Sequence, residues 1–93
     1  MKLVYTDVAI EDLKRLRAFI ETHDPSAAAR VAAELVEKIR LLPDVPHLGG
    51  PVPLAPDPQS IRDMVFGHYV VRYSVHPSAV IVLRIWHGRE SGR

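Results

Sequence analysis

The spacing of apolar residues changes twice along the chain. Residues 2–5 (KLVY) make a short β-like run. From Ile10 onward the apolar positions fall three and four apart, at Leu13, Leu16, Phe19 and Ile20, which is the period of an amphipathic helix. Thr6 or Asp7 supplies an N-cap oxygen for the unpaired amides of its first turn. Glu11 and Asp12 follow where the helix dipole favours acids. The pattern predicts a helix over 7–22 with those five apolar residues inward. Lys14, Arg15, Arg17 and Glu21 lie outward, and Glu11 and Arg15 are spaced as an i, i+4 ion pair.

His23-Asp24-Pro25-Ser26 is a break and a restart. Asp24 can cap, and Pro25 suits the first helical position, where no backbone hydrogen bond is lost. A second helix is predicted over 25–42, with Ala28, Val31, Ala32, Leu35, Ile39 and Leu42 inward. Alanines at 27, 28, 29, 32 and 33 keep its first half slim, so the first helix can come close. The short connection makes the pair an antiparallel hairpin.

Periodicity then stops. Residues 43–60 hold six of the eight prolines, together with Gly49 and Gly50. Proline fixes φ and has no amide, which excludes a helix or a central strand. Two readings stay open. One is a strap that packs Val45, Leu48, Val52 and Leu54 onto the core; the other is a long loop kept for function or for a partner. From Ile61 the period becomes two. Strands are predicted over 61–66, 69–75 and 79–87, joined by a Gly67-His68 turn and a His76-Pro77-Ser78 turn. Tyr69, Val71, Tyr73 and Val75 share one face. In the last strand Ile81, Leu83 and Ile85 point one way and Val82, Arg84 and Trp86 the other. The order is β-α-α-β-β-β, an α+β fold in which a helical hairpin packs on a small antiparallel sheet.

Composition narrows this picture. Residues 1–93 suit one domain, with 47% apolar and 25% charged residues. No cysteine is present, so disulfides and thiolate zinc sites are excluded. No apolar run reaches the roughly 18 residues of a membrane span. The N-terminal stretch lacks the layout of a signal peptide, and the expected location is the cytoplasm. A net charge of +1 is small for a protein built to bind nucleic-acid backbone. Even so, residues 60–93 carry five arginines, two acids and no lysine.

The chemistry-bearing residues therefore gather near the C-terminal end: Arg62, Arg84, Trp86, His87, Arg89 and Glu90. The arginines either bridge to Asp57, Asp63 or Glu90 on a solvent face or contact a target. Trp86 is a core residue or an interaction hot spot. His87 is a structural histidine or an acid working near neutral pH. His47, His68 and His76 lie in separate loops without ligand spacing, so no metal or other cofactor is expected.

Several stretches, taken in order, resemble the RelE/ParE superfamily of bacterial type II toxins. They are VYTDVAIEDLKRL, DPSAAARVAAELVEKIRLL, Pro46-His47-Leu48-Gly49, Ile61-Arg62-Asp63-Met64, Gly67-His68-Tyr69-Val70-Val71-Arg72-Tyr73 and the closing LRIWHGRE, which is similar to the ParE branch. The resemblance covers essentially the whole chain. It implies a toxin that partners an antitoxin encoded beside it, in a toxin–antitoxin hetero-oligomer with no membrane. RelE-like members cut messenger RNA at the ribosome, and ParE-like members poison DNA gyrase. The three lysines, Lys2, Lys14 and Lys38, all precede the region where an RNA-cleaving set would need them. Tyr69 stands where related RNA-cleaving toxins carry arginine. The resemblance thus implies a gyrase-binding toxin with no catalytic set, using Arg62, Arg84, Trp86, His87, Arg89 and Glu90 toward its target. The alternative is a ribosome-dependent endoribonuclease in which arginines 62, 84 and 89 hold phosphate and His87 is the acid.

Overall fold

The computed structural model describes residues 1–57 and 60–88. Strand β1 (Lys2–Tyr5) leads into α1 (Asp7–His23) and α2 (Pro25–Arg40). The connector contributes a two-residue strand, β2 (Gly50–Pro51), and β3 (Ile61–Phe66), β4 (Tyr69–Val75) and β5 (Ala79–His87) follow. Thr6 Oγ1 accepts from the Ala9 amide and caps α1. The Asp24 carboxylate accepts from the Ala27 amide and caps α2, with Pro25 in its first turn. Gly67 alone has a positive φ among the described residues, +58°. It occupies the first central position of the β3–β4 turn, as a type II′ hairpin requires.

The sheet order is β1-β5-β4-β3-β2. The predicted meander is there, but the sheet is mixed rather than antiparallel, because β1 lies parallel to β5. Parallel neighbours need a long crossover, and the two helices are the first part of it. β2 pairs antiparallel with β3 at the opposite edge, the position where proline in a strand is tolerated.

The helices cover one face of the sheet. Met64, Val71, Tyr73, Val80, Val82 and Ile85 meet Ala9, Leu16, Leu35, Ile39 and Leu42 there, and Leu3, Tyr5, Phe66, Tyr69 and Val75 close its margin. Fully burying each large apolar side chain contributes roughly 1.5–3 kcal/mol. Two expectations are corrected. Val82 pairs with Tyr73 and Arg84 with Arg72, so Leu83 is an extra residue in β5. This bulge resets the alternation and leaves Val80, Val82 and Ile85 in one core. In α1 the buried residues are Ala9, Asp12 and Leu16, whereas Ile10 and Phe19 are exposed. The helix is turned so that small Ala9 and the Asp12 carboxylate approach β5. Glu11 pairs with Lys14, and Arg15 with Asp12, in place of the expected Glu11–Arg15 pair.

The connector is a strap, but its predicted apolar anchors are not what hold it. Val45, Leu48 and Leu54 are exposed, and Val52 is half-buried. Polar bonds hold the strap instead. The Tyr73 hydroxyl accepts from the Gly49 amide at 2.8 Å and donates to the Pro46 carbonyl at 2.7 Å. Arg62 Nε donates to the Gly49 carbonyl at 2.6 Å. A Cβ on Gly49 would lie 2.7 Å from the Asp63 carbonyl carbon and oxygen, so only glycine lets the strap come this close to β3.

Candidate functional site

The face of the sheet turned away from the helices is read from the strand register. Asp63 lies opposite Arg72, and Arg72 opposite Arg84. Val65, Val70 and Trp86 form the next row, and Ile61, Ser74 and Ile81 another. Like charges directly opposite each other on neighbouring strands repel. Here each arginine leans away from the other toward its own carboxylate. Arg72 grips Asp63 with two bonds of 2.9 Å. Arg84 donates to Asp12 at 2.9 and 3.3 Å, reaching round the sheet edge to α1. A row of two back-to-back ion pairs results, Asp63–Arg72 and Arg84–Asp12, with the arginines innermost. The Asp63 bonds push the Arg72 guanidinium further up, against the opposing effect of burial. The Arg72 guanidinium also lies over the Trp86 ring, 5.2 Å from its centroid.

Asp12 does more than hold Arg84. β1 covers β5 only from Ala79 to Val82, so the rest of that edge needs other partners. The α1 region supplies them. The Thr6 hydroxyl donates to the Leu83 carbonyl, Asp12 accepts from the Ile85 amide at 2.9 Å, and Arg15 donates to the Ile85 carbonyl. Burial pushes the Asp12 carboxyl up, but the bonds from Arg84 and the Ile85 amide and the charges of Arg84 and Arg15 outweigh it, so its pKa lies below the usual value.

A second group lies at the end of the sheet beside the β3–β4 turn. The His68 and His87 rings stack with centroids 5.6 Å apart. The Tyr69 ring meets His87 edge-on at 5.3 Å. The Gly88 amide donates to the His68 carbonyl, tying the end of β5 to the turn. Burial raises the Tyr69 pKa. No cluster of three or more metal-ligating side chains occurs among the described residues.

The residues singled out from the sequence thus fall in different places. Arg84 and Trp86 share the outer face, although Trp86 is only 8% exposed. Arg62 is 7% exposed and lies on the helix side, under the strap. His87 sits at the sheet end with His68 and Tyr69. Arg89 and Glu90 lie outside the described residues. The sequence reading missed Asp12, the Tyr73 hydroxyl and the Asp63–Arg72 pair. One signal was present: a single arginine inside the apolar run AVIVLRIW needs a nearby carboxylate.

Residues 3–92 match the family model of the ParE toxin of the type II toxin–antitoxin system parDE. The chain belongs to the ParE toxin family. One relative, Toxin RelE1 of Caulobacter vibrioides, is 38% identical over 84 residues, spanning 88% of this chain and 87% of that protein. A chromosomal ParDE toxin–antitoxin system from P. aeruginosa contains a chain that superposes with a TM-score of 0.79 at 22% identity. That match covers 94% of this chain and 95% of the other. The RelBE2 toxin–antitoxin complex of Mycobacterium tuberculosis gives a TM-score of 0.68 at 22% identity, over 92% and 88% of the two chains. At that identity these structures show a shared fold. This ParE family member thus shares with those two chains a fold of two helices on a mixed five-stranded sheet. None of the helices described is long and apolar enough to cross a membrane.

Proposed function

We propose that this ParE family member poisons DNA gyrase, blocks replication, and is neutralised in the cytoplasm by a cognate antitoxin with which it forms a hetero-oligomer. The observation that carries this reading is the row Asp63, Arg72, Arg84 and Asp12. Cleaving RNA needs cationic groups aimed at the phosphate as charge develops on it. Arg72 and Arg84 are each engaged by a carboxylate, and residues 61–88 contain no lysine. A target-binding toxin makes no such demand: it needs a shaped surface. Arg84, Trp86 and His87, with Arg89 and Glu90 beyond them, are the residues we assign to that surface. Arg62 acts through the strap it holds. The two toxin–antitoxin assemblies among the structural matches support the antitoxin partner.

A second reading rests on the His68–His87 stack. Two imidazoles side by side can divide acid and base roles in cleaving RNA, which would make the chain a ribosome-dependent endoribonuclease. Tightly controlled expression separates the two. Filamentous cells, an induced DNA-damage response and inhibited supercoiling by purified gyrase are the expected results. Immediate translation arrest with cleaved transcripts, abolished in His87→Ala, would replace the gyrase reading with the nuclease one.

A further inference from the structure

Leu54 is 98% exposed, a large apolar side chain with almost nothing covering it. Single exposed leucines are ordinary on protein surfaces, but the setting of this one is not. It sits at the tip of the strap, in the run Pro51-Val52-Pro53-Leu54-Ala55-Pro56. Three prolines restrict φ around it. The Ala55 amide donates to the Val52 carbonyl, closing a turn on which Leu54 rides. The base of the turn is tied down twice: the Val52 amide donates to the Ile61 carbonyl, and Gly49 is held by Tyr73 and Arg62. The leucine is therefore presented on a pre-set loop, which lowers the ordering cost of binding. Beside it the strap and the outer sheet face enclose an open cleft of about 630 Å³, floored by Ile61, Asp63 and Arg72.

From this we infer that Leu54 is a docking knob that enters an apolar socket on the toxin's protein target, with the adjoining cleft receiving the rim of that socket. The inference rests on the reading of this chain as a target-binding toxin. The chemistry of the strap favours a protein over a nucleic acid. Residues 45–57 contain no lysine or arginine and one acid, Asp57, so they offer nothing to a phosphate backbone. The one ion pair in the cleft, Asp63 with Arg72, is already matched. An aliphatic knob on a rigid turn, next to a charge-neutral recess, suits a protein surface with an apolar pocket.

The test compares Leu54→Asp and Leu54→Met with the wild-type chain. The readouts are binding to immobilised DNA gyrase, inhibition of supercoiling and capture of the cognate antitoxin. Leu54→Asp is expected to keep its melting temperature and its antitoxin binding but to weaken gyrase binding about tenfold or more, the scale of an interface hot spot. Leu54→Met should stay close to wild type. Wild-type behaviour of Leu54→Asp on gyrase overturns the knob, and so does loss of antitoxin capture together with gyrase binding. If the wild-type chain leaves gyrase untouched, the gyrase reading falls by itself, and growth arrest then decides about Leu54. Relief of arrest by Leu54→Asp with antitoxin still bound supports the knob, and unrelieved arrest overturns it. A wild-type chain that arrests nothing overturns both.

Discussion

Arginines hold two edges of the same sheet by different chemistry. At the β5 edge, Arg84 and Arg15 meet a carboxylate, and Asp12 also takes the Ile85 amide. At the β3 edge, Arg62 meets a backbone carbonyl and a tyrosine hydroxyl completes the junction. The first junction is ionic and partly wet, since the Asp12 side chain is 5% exposed and that of Arg84 39%. The second uses a neutral hydroxyl as both acceptor and donor, in a buried place. The lesson is that an arginine inside a strand is not in itself a target contact. What it binds depends on which edge lacks backbone partners.

The comparison can be broken at its ionic side first. Asp12→Ala leaves the Ile85 amide and two guanidinium groups without their common acceptor. Breaking a buried ion pair costs about 3–5 kcal/mol, and the part-exposure of Arg84 and Arg15 reduces this to about 2–3 kcal/mol. Urea unfolding should show that loss, and an unchanged midpoint would mean that water replaces the carboxylate. At the neutral side, Tyr73→Phe leaves the Gly49 amide unsatisfied and should cost about 1–2 kcal/mol. Amide exchange would locate the damage, with Gly49 losing protection while Ile85 keeps it. Equal loss at both amides would merge the two junctions into one.

The smallest effect is a difference in pH response. The Asp12 pKa is lowered on folding. Its contribution is therefore complete above the unfolded carboxylate value and is lost as pH falls through the lower folded value. Acidification below about pH 4, near the unperturbed aspartate pKa, should weaken the wild-type protein more than Asp12→Asn. Tyr73→Phe should follow the wild-type slope. Parallel curves for wild type and Asp12→Asn would show that the carboxylate charge adds nothing to the β5 edge.

Much of the fold could be read from local pattern. The caps at Thr6 and Asp24, Pro25 at a helix start and Gly67 in its turn each act within a few residues. The strands β1, β3, β4 and β5 coincide with the predicted runs. What escaped was long-range. Asp12 in a first turn reads as a dipole partner until β5 is seen to lack neighbours beyond Val82. The bulge at Leu83 follows from pairing with β4, and nothing in the alternation before it announces the change. The strap was read through its apolar residues, whereas a hydroxyl 24 residues away holds it. For the candidate site, the sequence named residues but not the faces they occupy. Only the register separates Arg62, on the helix side, from Arg84 and Trp86 on the outer face.

The parallel pairing of β1 with β5 also sets a clock on synthesis. Lys2–Tyr5 is made long before its partners in the sheet, which are Ala79 to Val82. The Thr6 hydroxyl likewise waits for Leu83, 77 residues on. Contacts this distant along the chain form late and slow the folding rate. Until residues 79–87 have been made, the helical hairpin therefore stands without β5. The outer face, to which β5 contributes Arg84 and Trp86, is complete only once that strand has been made.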